Sequence, residues 1–327
     1  MVGACAMLLA MTGSLLDRHL LYITGKGGTG KTTVAAALGI AAAARGRRTI
    51  VVEVAEQDRV SRAFRREGVG HEVEVQLAEN LWAISVDPQL ALEEWLSKQL
   101  GATLVHGLMR SHAFQYFAAA APGVKELITV AKVWELAQLE RWDARNRTYD
   151  LVVVDGPATG HGVAMLATPR TFGEVARVGP IRRQATKVMA FLRDPERTAY
   201  LAVALAEEMP VIETLELEPR LRDAVGLGLA AVVVNGVYPD RFTNADAEAL
   251  RRVSEDGLPA DARGAVRAAL AEHRRARAQR AHLRRLRRET DAPVVTLPFL
   301  FAAELGLGDY ERLGRELARR LGLPKMA

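Results

Sequence analysis

The stretch Gly25-Lys26-Gly27-Gly28-Thr29-Gly30-Lys31-Thr32-Thr33 decides the fold of this chain. It fits the phosphate-binding pattern in which a glycine is followed, after four residues, by Gly-Lys and then Ser or Thr. An apolar run at residues 20–24 precedes it and predicts a buried strand. An alanine-rich run follows from Thr33 and predicts a helix that stops near Gly46. Strand, glycine-rich loop and helix in this order predict a P-loop.

The loop residues have expected roles in binding a nucleotide. The glycines let backbone N–H groups face phosphate oxygens, and the helix N-terminus adds partial positive charge. We expect Lys31 to contact the β- and γ-phosphates of ATP, and the Thr32 hydroxyl to bind Mg²⁺. The sequence therefore predicts ATP and Mg²⁺ as ligands of residues 25–33. A glycine-rich turn that fits the pattern by chance is the alternative, which the flanking strand and helix disfavour.

Apolar runs that alternate with helical patterns predict the architecture of the chain. Five more runs read as buried strands, at residues 49–54, 81–86, 150–155, 229–234 and 294–297. Helical patterns fill residues 89–145 and 171–223. This alternation favours an α/β fold with a doubly wound, mostly parallel sheet. We expect one P-loop domain over residues 13–325, with residues 1–12 as a flexible tail. A helical subdomain would be inserted at about 89–145 and 170–225.

Polar residues follow several of these strands, where ligands of such sheets bind. Asp155 ends a run of three valines, in the position of a Walker B carboxylate. A carboxylate there can hold a Mg²⁺-bound water or sense the γ-phosphate, so Thr32 and Asp155 are the predicted Mg²⁺ residues. A turn or helix-capping aspartate is the alternative. Asn235 and Pro298 end or follow two further strands.

The loop resembles the deviant Walker A motif of one family of ATPases. GKGGTGKTT is similar to the loop of the family that contains the ArsA arsenical-pump ATPase, the tail-anchored-protein targeting ATPase, MinD and ParA. In that family a signature lysine, here Lys26, contacts the nucleotide of the partner subunit. The resemblance implies a dimer with nucleotide at the interface, and catalytic roles for Lys26, Lys31 and Asp155. A solvated surface lysine is the alternative for Lys26.

A second segment narrows the resemblance to one branch. Residues 155–161, Asp-Gly-Pro-Ala-Thr-Gly-His, resemble the D-T-A-P-T-G-H switch segment of the ArsA and tail-anchored-targeting branch. The matches at Thr159 and His161 favour that branch over MinD and ParA. There the segment couples the γ-phosphate to movement of the helical region. The resemblance covers about residues 20–321, and it implies that Asn235 recognises adenine and that Pro298 lies in the adenine-side loop.

The chain departs from this family at the first switch, after the second strand. The family reads S-T-D-P-A-H-N there, and its aspartate orients the attacking water, whereas this chain has Ala55 in that register. Glu53, Glu56 and Asp58 are the nearby carboxylates, and none is in register. We therefore expect hydrolysis to be slow, rerouted or lost. Loss of a general base lowers a rate by about 10²–10⁴-fold. Cys5 is the single cysteine, so the arsenite-binding cysteines and the zinc-binding CxxC of some relatives are absent.

Composition and charge limit the other functions of the chain. Its 327 residues are 49% hydrophobic and 25% charged, as in ordinary folded proteins, and a single cysteine fits a reducing cytoplasm. No run is long and apolar enough to be transmembrane. The arginine-rich segment 263–288 carries much of the net charge of +5 and predicts an amphipathic helix with a solvated basic face. An acidic partner, nucleic acid or a membrane surface are the alternatives, and the lack of interleaved aromatic residues disfavours nucleic acid.

These features together predict a cytoplasmic, Mg²⁺-dependent ATPase that acts as a homodimer, or as a heterodimer with a paralogue. Nucleotide state would move the helical subdomain and control binding of a protein client. Basic residues between 170 and 193 favour a polar or acidic client over a buried transmembrane helix. Two alternatives stay open. One is an ATP-locked scaffold subunit paired with an active paralogue, which Ala55 favours, and the other is a ParA-like DNA-binding switch that uses the arginine-rich helix.

Overall fold

The computed structural model describes residues 15–54, 60–61, 64, 73–111, 123–143, 146–253 and 258–322. Within these residues eight strands form one sheet: β1 Leu20–Gly25, β2 Thr49–Glu53, β3 Val75–Ala78, β4 Leu81–Ser85, β5 Leu151–Ala158, β6 Thr198–Leu205, β7 Ala231–Val237 and β8 Val294–Pro298. Their order is β3-β4-β2-β5-β1-β6-β7-β8. Neighbouring strands are parallel except β3, which is antiparallel to β4. The α/β fold with a mostly parallel sheet is therefore confirmed.

Ten helices connect and cover these strands in the described part of the chain. They are α1 Lys31–Ala43, α2 Pro88–Leu100, α3 Ala102–Met109, α4 Val124–Leu136, α5 Thr159–Val175, α6 Pro180–Leu192, α7 Glu208–Val225, α8 Asn244–Arg252, α9 Ala260–Glu289 and α10 Leu307–Arg320. A short 3₁₀ helix, Leu15–Asp17, precedes β1. None of the helices in the described ranges is long and apolar enough to cross a membrane. The tail expected at residues 1–12 lies outside those ranges.

The sheet is packed on both faces, because successive side chains of a strand point to opposite sides. In β1, Leu20 and Tyr22 belong to a core shared with helices α4 to α7. Leu21 and Ile23 belong to a second core, shared with α1 and α10. All four residues are 1% exposed or less. Since β1 lies between β5 and β6, the loop that follows it is anchored in the most buried part of the fold.

One strand lies where the sequence pattern predicts helix. β6 falls inside the ranges 171–223 and 170–225, so the helical assignment is wrong for its eight residues. It pairs with β1 from Leu20↔Thr198 to Thr24↔Ala202. Seven of its residues are buried, so it shows no alternation, and its alanines and leucines also suit a helix. The short edge strand β3 is likewise absent from the sequence prediction.

The arginine-rich segment forms one helix, α9, as predicted. Its buried residues include Ala276, Leu283 and Leu286, and the helix packs on α7, α8 and β7. The exposed side is basic. Part of its charge is balanced locally by ion pairs, which are Arg280–Asp240, Arg285–Glu289 and Arg288–Glu289. This arrangement agrees with an amphipathic helix whose basic face is solvated.

Candidate active site

The glycine-rich loop joins β1 to α1 and encloses a space at the edge of the sheet. Gly25, Gly28 and Gly30 have φ angles of +143°, +81° and +90°, in the region that favours glycine. A Cβ on Gly25 would lie 2.1 Å from the Val203 carbonyl oxygen, so the loop begins tightly against β6. A Cβ on Gly27 or Gly28 would meet nothing within 4 Å. This part of the loop therefore faces open space and can cradle an anion.

Lys31 folds back over the loop. Its Nζ donates hydrogen bonds to the carbonyl oxygens of Gly25 and Lys26, both at 3.0 Å. The Thr29 hydroxyl donates to the same Lys26 carbonyl at 2.9 Å. The Lys31 ammonium is thereby held within the curve of the loop, where it would meet the oxygens of a bound phosphate.

A hydrogen bond joins the loop to the neighbouring strand β5. The Thr32 hydroxyl, in the first turn of α1, donates to Asp155 Oδ2 at 2.6 Å. The contact depends on the pairing of β1 with β5, which brings together residues that are 123 positions apart. A hydroxyl and a carboxylate beside an anion cradle are the hard oxygen donors that Mg²⁺ prefers. The residues present therefore fit this ion.

A cleft extends from the loop across the carboxyl ends of β2 and β5. It is lined by Gly27, Gly28, Gly30, Lys31, Thr32, Thr33, Glu53, Val54, Asp155, Gly156, Pro157, Ala158 and Tyr310. Glu53 ends β2 opposite Asp155, and it is 3% exposed. Its Oε1 accepts a hydrogen bond from the Val60 backbone N–H at 3.2 Å. Sequence reasoning names Glu53 only as a nearby carboxylate, whereas the fold places it in the cleft.

Lys26 makes an ion pair within its own chain. Its ammonium contacts the carboxylate of Glu213, in α7. The two side chains are 35% and 28% exposed, so the pair lies near the surface. The sequence gives no signal for this partner, because 187 positions separate the two residues. A contact of Lys26 with a second subunit stays a prediction. Slow hydrolysis also stays a prediction, since Ala55 lies outside the described residues.

Asn235 and Pro298 lie on the other side of the loop, in β7 and β8. Asn235 Nδ2 donates to the Thr29 carbonyl oxygen at 3.1 Å. Pro298 ends β8, and the next residue, Phe299, stacks on Tyr238 with ring centroids 4.5 Å apart. The structure thus brings Asn235 against the loop. Neither Asn235 nor Pro298 is among the residues described as lining the cleft at β2 and β5.

The segment after Asp155 is packed tightly against β1. A Cβ on Gly156 would lie 2.4 Å from the Ile23 carbonyl oxygen, and a Cβ on Gly162 would lie 3.0 Å from a side-chain oxygen of β1. The Tyr22 hydroxyl donates to the Gly162 carbonyl at 3.4 Å. Burial, with the charge of Asp155 adding to it, raises the pKa of Tyr22 far above its usual range. The hydroxyl therefore keeps the proton that it donates.

Helix α5 carries this segment into the helical region. It begins at Thr159, whose buried hydroxyl has no hydrogen-bond partner among the described residues. His161 Nε2 lies 4.0 Å from Glu126 Oε1 of α4. A Cβ on Gly123, at the start of α4, would lie 3.2 Å from the ring of Phe172 in α5. Helix α5 therefore contacts α4 directly.

A strand, a glycine-rich loop and a helix at the centre of a mostly parallel sheet define a P-loop nucleoside triphosphatase. Comparison with known families identifies the branch. The family model described as "Anion-transporting ATPase" matches residues 18–191. The chain belongs to this ArsA-like family of P-loop ATPases.

Relatives of this chain have names that agree with the assignment. The chain is similar to the ATPase BagA of Mycobacterium tuberculosis, with 31% identity over 258 residues, or 77% of this chain and 73% of BagA. A putative arsenical pump-driving ATPase of Halobacterium salinarum is 26% identical over 92% of this chain and 44% of its own length. The ATPase GET3 of Mycosarcoma maydis is 24% identical over 74% of this chain and 81% of its own length.

Proposed function

We propose that this ATPase is a Mg²⁺-dependent dimeric switch, in which hydrolysis of ATP is coupled to movement of the helical region and to binding of a partner. The observation that supports this most directly is the 2.6 Å hydrogen bond between Thr32 and Asp155. It ties the loop that would hold the phosphates to β5, the strand that leads directly into α5. A change at the phosphates would therefore act on the first residues of α5.

The phosphate side of the site would be built from four side chains and the loop backbone. Lys31 would exchange its hydrogen bonds to loop carbonyls for the β- and γ-phosphate oxygens, while backbone N–H groups add donors. Thr32 and Asp155 would hold Mg²⁺, which neutralises charge on the phosphates. The buried Thr159 hydroxyl has no partner within the described ranges, and this supports a γ-phosphate contact at the start of α5.

The adenine base and a second subunit would contact residues outside the phosphate side of the site. Asn235, held against Thr29, is the proposed adenine residue, with Pro298 in the adjoining loop. Lys26 is the proposed contact to the nucleotide of the second subunit, because the resemblance assigns that role and the side chain lies near the surface. To reach a second subunit Lys26 must leave Glu213. Dimerisation would therefore be linked to opening of this ion pair.

The helical region offers a surface for a partner. An apolar cavity lies between α2, α4, α5 and α6, and its lining includes Trp95, Leu127, Phe172 and Ile181. The exposed side of α6 is basic, with Arg182, Arg183 and Lys187. We propose a protein client that presents an apolar side chain within an acidic surface. A homodimer and a heterodimer with a paralogue both fit this arrangement, and the single cysteine favours the reducing cytoplasm.

Steady-state ATP hydrolysis and sedimentation test this proposal together. Wild-type protein should hydrolyse ATP only when Mg²⁺ is present, and should form a dimer with ATP and Mg²⁺ but not with ADP. The Lys31→Ala variant supplies the background, because it lacks the main side-chain contact to the phosphates. Wild-type turnover no higher than this background would contradict the switch, and turnover without any nucleotide-dependent dimer would contradict the dimer.

A second candidate is an ATP-locked scaffold subunit, which is favoured by Ala55 in the register of the family's aspartate. It predicts ATP-dependent dimerisation without turnover, and turnover that arises only when an active paralogue is added. The same two measurements separate the candidates. A ParA-like DNA switch is disfavoured by the segment Thr159–His161, which resembles the other branch.

A further inference from the structure

We propose that Glu53 is the catalytic carboxylate that positions the attacking water, in place of the aspartate that the chain lacks at Ala55. This rests on the ATPase switch proposed above and adds a residue to it. Glu53 is the last residue of β2 and lies opposite Asp155 in the parallel β2–β5 register. Both carboxylates line the cleft that contains Lys31 and Thr32. The strand pairing therefore brings a second acid to the phosphate side of the site.

Burial and a hydrogen bond fix the Glu53 carboxylate in this cleft. The residue is 3% exposed, and a buried carboxylate is unfavourable unless it is paired or hydrogen-bonded. Its Oε1 accepts the Val60 N–H at 3.2 Å, so the carboxylate holds a residue seven positions farther along the chain. Glutamate is one methylene longer than aspartate. Glu53 precedes Ala55 by two residues, and its longer side chain can reach farther into the cleft than an aspartate at position 53 could.

The proposed step is an ordinary hydrolysis. The Glu53 carboxylate accepts a hydrogen bond from a water molecule and takes a proton from it as the water oxygen bonds to the γ-phosphorus. The bond between that phosphorus and the oxygen that bridges it to the β-phosphate breaks, so ADP leaves and inorganic phosphate forms. The proton then passes from Glu53 to the phosphate or to solvent. General-base catalysis of this kind contributes about 10²–10⁴-fold to a rate.

The competing role is structural, in which Glu53 serves to hold its hydrogen-bond partners, Val60 among them. Glu53→Gln separates the two roles, because the amide oxygen still accepts the Val60 N–H while the amide cannot take the proton of a water. We expect kcat to fall about 100-fold or more. KM for ATP, thermal stability and the stabilisation by ATP with Mg²⁺ should stay at their wild-type values. Glu79→Gln, an exposed change of the same chemistry outside the cleft, is the matched control and should keep full turnover.

A double variant tests the same role by rescue. Ala55→Asp in the Glu53→Gln background restores a carboxylate in the family's register, and should recover at least about ten-fold of the lost turnover. If Glu53 is purely structural, Ala55→Asp should instead raise turnover by the same factor in the wild type and in Glu53→Gln. Glu56→Gln and Asp58→Asn, made singly, should each cost far less turnover than Glu53→Gln.

Several outcomes would overturn the proposal. Three outcomes would each remove Glu53 from catalysis. They are unchanged kcat in Glu53→Gln, a loss of kcat matched by lower stability, and a gain from Ala55→Asp that is no larger in Glu53→Gln than in the wild type. An equal loss in Glu56→Gln or Asp58→Asn would move the role to that residue. These results leave the ATPase switch standing. Wild-type turnover no faster than that of Lys31→Ala would instead overturn both proposals.

Discussion

At the scale of single residues, binding of the triphosphate depends most on Lys31. Its Nζ already lies over the loop, on the carbonyls of Gly25 and Lys26. At ATP concentrations of about 100 times Kd, ATP with Mg²⁺ should stabilise the wild type by about 2.7 kcal/mol. Lys31→Ala should show almost none of this gain, because the phosphates lose their main cationic side chain. Thermal unfolding with and without ATP measures the difference, and equal stabilisation of both proteins would contradict the role of the loop.

The ion pair of Lys26 with Glu213 leads to a prediction about dimerisation. Lys26→Ala should leave ATP binding to one chain unchanged and weaken the nucleotide-dependent dimer. Glu213→Gln should strengthen that dimer, because the Lys26 ammonium no longer has to leave a carboxylate. A partly exposed pair contributes about 0–1 kcal/mol, and a homodimer opens two such pairs, so the gain should not exceed about thirty-fold in dimer Kd. Sedimentation with ATP and Mg²⁺ measures dimerisation of both variants. If neither substitution changes the dimer, Lys26 takes no part in dimerisation.

Gly30 tests the close approach of β7 to the loop. A Cβ there would lie 2.2 Å from Asn235 Nδ2, and φ is +90°. Gly30→Ala should therefore weaken ATP binding and destabilise the fold by about 1–3 kcal/mol. Gly46→Ala is the matched control, because φ is +77° and a Cβ would meet nothing within 4 Å. ATP titration and urea unfolding should show lost affinity in Gly30→Ala alone. If Gly30→Ala and Gly46→Ala bind ATP with the same affinity, the Asn235 contact does not determine the shape of the loop.

The sequence predicts the loop residues because they are consecutive, and their chemistry is a property of one short motif. Thr32 and Asp155 are also predictable as neighbours, since one comes after a predicted strand and the other ends a predicted strand at the same edge of the sheet. The Lys26–Glu213 pair is different, because it depends on how α7 packs beside the loop. The place of Glu53 depends likewise on where β2 ends and on its register with β5. Local sequence patterns indicate neither the packing of α7 beside the loop nor the register of β2 with β5.

At the scale of elements, the chain after α4 is anchored by a buried ion pair. Arg141 contacts Glu135 at 2.6 Å and Glu74 at 2.7 Å, and the Arg141 and Glu135 side chains are 1% and 0% exposed. Arg141→Met removes the guanidinium and leaves the buried Glu135 carboxylate with Lys132, 3.1 Å away, as its cation. We expect the free energy of unfolding to fall by about 1.5–3 kcal/mol, measured in urea.

An exposed pair gives the control for this prediction. Arg220 and Glu216 form an i, i+4 pair on α7 with side chains 58% and 53% exposed. Arg220→Met should therefore change the free energy of unfolding by about 0–1 kcal/mol. If the two variants lose a similar free energy of unfolding, burial does not make the Arg141 pair more stabilising than an exposed pair.

Strand β6 shows why elements can be missed when the fold class is predicted correctly. Its sequence, Thr-Ala-Tyr-Leu-Ala-Val-Ala-Leu, is buried on both faces and has no polar alternation. Such a run reads as strand or as buried helix with equal ease. What makes it a strand is β1, which offers an open edge for parallel pairing. The six strands that the sequence does predict are each rich in valine, isoleucine or leucine, or are bounded by clear turns.

At the scale of the whole molecule, ATP should act beyond the loop. The contacts of α5 with β1 and α4 connect the end of β5 to the helical region. We expect ATP with Mg²⁺ to slow hydrogen exchange in α5 and to change exchange in α4 and α6. Lys31→Ala treated in the same way is the control and should show no change. Protection confined to the loop and Asn235 would mean that these helices are a static cover for the sheet.

The position of β6 between β1 and β7 also has a consequence for which ligands fit. Neighbouring strands are about 4.8 Å apart, so β1 and β7 are separated by about 10 Å. If the phosphates bind after β1 and the base binds after β7, the strand spacing sets the distance between these two parts of the nucleotide site. Inorganic triphosphate would occupy only the phosphate position beside β1 and would leave Asn235 without a ligand. Selection of a nucleotide over inorganic triphosphate would then depend on the order of the strands, which no single side-chain substitution changes.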